Sequence, residues 1–169
     1  MNYKYSALDV ANYIVWYVDT NKLGTVTPLK LQKILYYVYT TYLKKNDKPL
    51  FEDCFEKWQY GPVVTDVYHT FKMHGFNHIS TPKPRLENDP SKFLGIRKID
   101  FDPNLFLNNN DFIEDANNVI NNLVKKGAFD LVEMTHVEPA WKDFEKEIIS
   151  GKKELKYSID ELKSAQSVI

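Results

Sequence analysis

The chain has one cysteine, six glycines and almost no net charge, and each shortage removes a class of function. A lone Cys54 excludes an internal disulfide and any zinc cluster built on cysteines, and it suits a reducing compartment. On composition it is expected to act as a small buried hydrophobe. Six glycines leave no Gly-x-Gly-x-x-Gly or Walker-type loop, so nucleotide binding lacks its usual backbone cradle. With 22 basic and 23 acidic residues the formal charge is −1, and no global field draws the chain onto nucleic acid or an anionic membrane. No apolar run reaches membrane-spanning length, and residues 1–6 carry no basic stretch followed by an apolar one. The expectation is a cytoplasmic protein with no cofactor and no membrane contact.

What is abundant is apolar and aromatic. Eleven Tyr, ten Phe and three Trp in 169 residues argue for a packed core over disorder, and the length suits one domain that needs neither disulfide nor metal. Ser6, three residues before Asp9, opens a first helix whose stripe is Leu8, Ala11, Val15 and Val18. It should end near Asn21, with Gly24 as a left-handed cap. Thr27-Pro28 is a strong start for a second helix, running to about Lys45 with Leu31, Ile34, Leu35, Val38 and Tyr42 on one stripe. This longest element is expected to be central. Residues 50–59 alternate too irregularly for assignment, with room for a two-stranded ribbon near Phe51 to Trp58. Gly61-Pro62 then punctuates the chain, and Pro62 is expected in the first turn of a third helix carrying Val64, Val67, Tyr68 and Phe71 up to Gly75.

Residues 77–109, with four of the eight prolines, read as a long irregular connection. Its cations Lys83, Arg85, Lys92, Arg97 and Lys98 are interrupted by Glu87 and Asp89, which reads as a solvated face rather than a phosphate site. Asp111 with Glu114 is expected to open a further helix that Gly127 stops, followed by a short helical stretch from Phe129 to Met134. Ser158 with Glu161 marks a short final helix. The sum is an all-α, single-domain, multi-helix fold with a minor ribbon at most.

The chemistry-bearing residues are sparse. His69, His74 and His78 have ligand spacing only if a helix continues through Gly75, and neither Cys nor carboxylate completes a set, so no metal site is expected. Gln32 and Tyr36, one turn apart beside the second helix's stripe, can satisfy a neighbouring backbone or serve a site. Thr135, His136 and Trp141 place a hydroxyl, an imidazole and an indole donor within seven residues, which reads either as a loop pinned by a buried Trp or as a polar site. Residues 128–141 have the length of a helix-turn-helix but carry Asp130, Glu133 and Glu138 and no Arg or Lys, so nucleic-acid binding is not expected.

Four blocks taken together carry a resemblance: Ser6-Ala-Leu-Asp-Val-Ala-Asn-Tyr-Ile14, Leu29-Lys-Leu-Gln-Lys-Ile-Leu-Tyr-Tyr37, Trp58-x-Tyr-Gly-Pro-Val63 and Thr135-His-x-Glu-x-x-Trp141. In this order, over about residues 5–145, they resemble the Panacea domain of SocA-like antitoxins and GepA-type prophage proteins, with 146–169 as a carboxy-terminal extension. The resemblance implies a helical cytoplasmic antitoxin that binds a cognate toxin encoded by an adjacent gene, either inhibiting it directly or delivering it to an ATP-dependent protease. Gln32, Tyr36, Trp58, Tyr60, Gly61, Pro62, Thr135, His136 and Trp141 fall on its motif positions. They are expected to cluster, as scaffold or as partner-binding surface. The competing expectation is a hydrolase-like enzyme of a mobile element using His136 with Gln32 or Tyr60, which predicts a concave polar pocket around a perturbed imidazole.

Overall fold

A helix buried on every side forms the axis of the molecule. In the computed structural model, which describes residues 4–169, helix α2 spans Pro28–Asn46, and nearly all of it from Lys30 to Leu43 is buried, polar positions included. The expected apolar stripe is there, but neighbours on all sides cover the rest, as befits a central helix. Thr27 caps its start through the Lys30 amide, with Pro28 in the first turn. The leader reading falls partly on residues 1–3, which lie outside the described residues.

Around α2 pack α1 (Ala7–Thr20), α3 (Thr65–Phe71), α4 (Asn110–Leu123), α5 (Ala128–His136) and the short α8 (Ile159–Lys163), while the short α6 (Pro139–Lys142) packs on α5 and α7 (Glu145–Ile149) follows it in the chain. The predicted capping boxes at Ser6/Asp9 and Ser158/Glu161 both form. Two aromatic clusters account for the ring-rich composition. Tyr5, Tyr13, Phe106 and Phe112 meet between α1 and α4, and Tyr36, Tyr39, Phe51 and Phe55 meet beside α2.

The mostly helical fold carries two small antiparallel ribbons among the described residues, not one. The first pairs β1 (Glu56–Trp58) with β2 (Gly61–Val63), so it straddles the Gly-Pro pair instead of preceding it. Pro62 therefore lies in a strand, and α3 begins only at Thr65. Gly61, at φ +91°, lets the chain fold back after Gln59 and Tyr60, and helix has to wait until the return strand is complete. The second ribbon, β3 (Arg85–Asn88) with β4 (Ile96–Ile99), lies within the segment expected to be irregular, which also holds a 3-10 turn at Pro103–Phe106.

Smaller expectations also shift. The left-handed residue after α1 is Lys22, at φ 53°, while Gly24 sits at φ 147°. Asn109, not Asp111, caps α4 through the Phe112 amide, and Gly127 stands at the start of α5, where the Asp130 carboxylate accepts its N–H. Cys54 is exposed: Phe51 and Phe55, four apart, take the inward positions and leave Glu52 and Cys54 facing out.

The carboxy-terminal segment is knitted into the body. The Lys57 N–H donates to the Leu155 carbonyl at 2.6 Å and the Tyr157 N–H to that of Phe55 at 2.9 Å, which makes an isolated antiparallel bridge between Glu56 of β1 and Lys156. Lys57 Nζ lies 3.5 Å over the Phe144 ring and bonds Glu161 at 2.6 Å, while Lys44 reaches the Ala165 carbonyl at 2.8 Å.

Candidate functional site: a ribbon clamped between α2 and α5

Three separated segments meet at the β1–β2 ribbon, and most of the expected site residues are what holds it. From α2, the Gln32 amide clips the backbone of Val64 from both sides: Nε2 donates to the Val64 carbonyl at 3.1 Å, and Oε1 accepts its N–H at 2.9 Å. From α6, Trp141 Nε1 donates to the Trp58 carbonyl at 2.9 Å. From the last turn of α5, His136 Nε2 meets the Gln59 carbonyl at 3.0 Å, and the imidazole stacks on the Trp141 indole at 3.7 Å and 15°. Thr135 and His136 are thus the end of α5 and do not follow it. Gly61 rests against Thr135; a Cβ there would lie 2.4 Å from Thr135 Oγ1. The Thr135 hydroxyl is spent on the Val132 carbonyl. The Trp58 ring packs edge-on against Tyr68 at 4.9 Å, and its indole N–H donates to Glu56 at 2.9 Å.

Tyr36 belongs to an adjoining network. Its hydroxyl donates to Glu138 Oε2 at 2.7 Å, Tyr37 donates to Oε1 at 3.0 Å, and the Gln166 backbone N–H adds a third donor at 3.2 Å. Burial pushes the Glu138 carboxyl above its ordinary range against the pull of these donors, and pushes both phenols up.

Of the nine expected residues, only Tyr60 projects into solvent, half exposed at the ribbon's tip; the ring of Phe129, on α5, meets it edge-on at 6.1 Å. Val137, just past the end of α5, is exposed as well. Burial lowers the His136 pKa, and the groove of about 580 Å³ that Trp58 and Gln59 line runs toward Ile148, Ile149 and Lys152 rather than to His136. Chemically the arrangement positions backbone and presents apolar area. No group of three or more His, Cys, Asp or Glu side chains able to hold a metal occurs among the described residues.

The residues that sequence reasoning missed are Glu138, Phe129 and, above all, Lys33. The Lys33 side chain is wholly buried in α2, and its ammonium donates to the Pro62 carbonyl at 2.8 Å, beside Gly61 and Thr135. The signal was α2 itself, which contains lysines but no Asp or Glu; an amine on such a helix must look elsewhere for an acceptor. Lys30 does the same, reaching the Val124 carbonyl at the end of α4.

Burial lowers the Lys33 pKa from 10.5 to about 7. Above about pH 7 the folded state sheds this proton while the unfolded chain keeps it, so the unfolded state binds more protons and stability rises with pH until about 10. Urea unfolding at pH 6.5 and pH 9 is expected to show that rise in the wild type and a flatter response in Lys33→Met.

The site thus fixes a ribbon between α2 and α5 and leaves Tyr60 and Phe129 exposed beside it. Residues 31–142 match the family described as Antitoxin SocA-like, Panacea domain, and the chain belongs to it. The family's description is that of SocA-like antitoxins. Antitoxin SocA of Caulobacter vibrioides (strain NA1000 / CB15N) is 37% identical over 54 residues, which cover 32% of this chain and 29% of that protein. The match thus spans under a third of the relative's length. No solved structure matches the chain. No helix among the described residues is long and apolar enough to cross a membrane.

Proposed function

We propose that this protein neutralises a toxin encoded by an adjacent gene by binding it directly in the cytoplasm, through the surface made by Tyr60, Phe129 and Val137. The observation that carries this reading is the division of labour in the motif. Trp58, Gly61, Pro62, Thr135 and Trp141 spend their polar atoms and volume on fixing the ribbon, and Tyr60 is left at its tip with a second ring beside it. Rigid, exposed aromatics cost little side-chain entropy on docking and are frequent anchors of protein interfaces. The membership of an antitoxin family supplies the kind of partner. Neutralisation is placed in the binding step, so it does not depend on delivery to an ATP-dependent protease.

Co-expression tests this. The neighbouring gene alone is expected to arrest growth, and this chain to restore it. The double variant Tyr60→Ser/Phe129→Ser is expected to accumulate as folded protein yet lose rescue, because both residues are half or more exposed and stand outside the core cluster. Full rescue by that variant would move the binding surface elsewhere, and a harmless neighbour would remove the reading altogether.

A further inference from the structure

The β3–β4 hairpin has no third strand and lies outside the clamp. A two-stranded ribbon on its own is marginal in water. Here one face carries an Arg85–Glu87–Arg97 set, both pairs at 2.9 Å within the hairpin, and the tie to the body is Arg85, which approaches Asp9 at 3.5 Å, with Asn12, which clips the backbone of Lys83 from both sides. The register places Leu86, Ile96 and Lys98 on the opposite face. That face is open, with Leu86 and Ile96 set beside Lys98 and Asn88. Leu86 is 68% exposed and Ile96 47%, and the turn beyond them adds Phe93 at 102% and Leu94 at 78%. Monomeric proteins seldom leave so many large apolar side chains together in solvent without a use for them.

The charges say what kind of surface would cover it. From Lys83 to Asp100 there are five cations and three carboxylates, on a chain whose formal charge is −1. Glu87 is occupied by the two arginines on the inner side, and Asp89 by its own turn with Ser91. Lys92 and Lys98 remain toward solvent, Lys98 sharing only an exposed pair with Asp100 at 3.3 Å. A second copy docked symmetrically, hairpin to hairpin, would set these lysines against each other. Nucleic acid is a poor fit to a face whose reach is mainly aliphatic.

We infer that the hairpin is a second docking arm for the toxin, seating Leu86, Phe93, Leu94 and Ile96 on an apolar surface rimmed by carboxylates. This rests on the antitoxin reading. Lys92 and Lys98 steer the encounter, and the apolar residues hold the complex.

The test is the affinity of the purified full chain for the purified product of the neighbouring gene. Variants are Phe93→Ser/Leu94→Ser, Leu86→Ser/Ile96→Ser and Lys92→Glu/Lys98→Glu, with thermal midpoints recorded alongside. The expected result is an affinity loss of at least tenfold for each apolar pair, and a slower, less salt-dependent association for the charge pair, at near-unchanged midpoints. If Leu86→Ser/Ile96→Ser lowers the midpoint, the tip pair alone decides. Wild-type affinity in every hairpin variant, with loss confined to Tyr60→Ser/Phe129→Ser, overturns the arm and leaves the antitoxin reading intact. No wild-type complex overturns both. Hairpin-dependent self-association, or hairpin-dependent binding to duplex DNA, in place of toxin binding would also overturn it.

Discussion

Gly61→Ala is expected to lower the thermal midpoint by roughly 6–12 °C, a loss of about 3 kcal/mol in a chain of this size. Two costs coincide there. The backbone sits at φ +91°, where a side chain is strained, and the new Cβ would lie 2.4 Å from Thr135 Oγ1 and 3.0 Å from Lys33 Cε. Thr135 is fully buried and bonded to the Val132 carbonyl, so it has little room to yield. Adding Thr135→Ala should recover part of the loss, because it removes the clashing oxygen. Gly75→Ala isolates the conformational share. Its φ is +57° with nothing within 4 Å, and about 1 kcal/mol is expected. Scanning calorimetry of the three variants checks the ordering, and equal losses at Gly61 and Gly75 would refute the close-approach argument.

Glu138→Ala is expected to cost about 4 kcal/mol, lowering the midpoint by roughly 8–16 °C. The carboxylate takes the Tyr36 and Tyr37 hydroxyls and the Gln166 N–H, and removing it strands two buried hydroxyls and a half-buried N–H over a cavity. Changing Tyr36 and Tyr37 to Phe in the alanine background should restore part of the stability, since the orphaned hydroxyls leave with them. Glu138→Gln keeps the volume and some acceptor capacity and should lose less. It also removes a titration. Because the folded carboxyl is raised by burial, the unfolded state releases its proton first, so this group's contribution falls as pH climbs from about 4.5 through the raised folded value. The calorimetric difference between wild type and Glu138→Gln, followed from pH 4 to pH 8, reports that slope.

Local chemistry made the helices legible. Ser6 with Asp9, Thr27 with Pro28 and Ser158 with Glu161 each act within a turn, and each helix starts where these residues place it. Turning points set by distant contacts were less legible. Gly61 and Pro62 carry ordinary helix-start chemistry, yet Lys33, Gln32 and Thr135, remote in sequence, hold that backbone as a strand. The β3–β4 hairpin escaped notice because a seven-residue connection of turn chemistry separates strands of only four residues, and its inner face is held by an Arg–Glu–Arg set instead of an apolar stripe.

The motif residues were legible as a set, but not their roles. Trp58, Gly61, Thr135, His136 and Trp141 do converge, and the structure uses them chiefly to fix the ribbon. Phe129 lay in no motif, and Lys33 lay inside the second block without standing out from it. One completes the outer surface and the other holds Pro62 from within, and only the packing of α2 against α5 brings them to the same ribbon.

Amide hydrogen exchange of this chain with and without the neighbouring gene's product tests the central claim most directly. The account predicts new protection on complex formation at Gln59 to Gly61 and along α5 from Phe129 to Val137. Protection confined to another face, or an unchanged pattern with the toxin present in excess, would contradict the assignment of that surface to the partner.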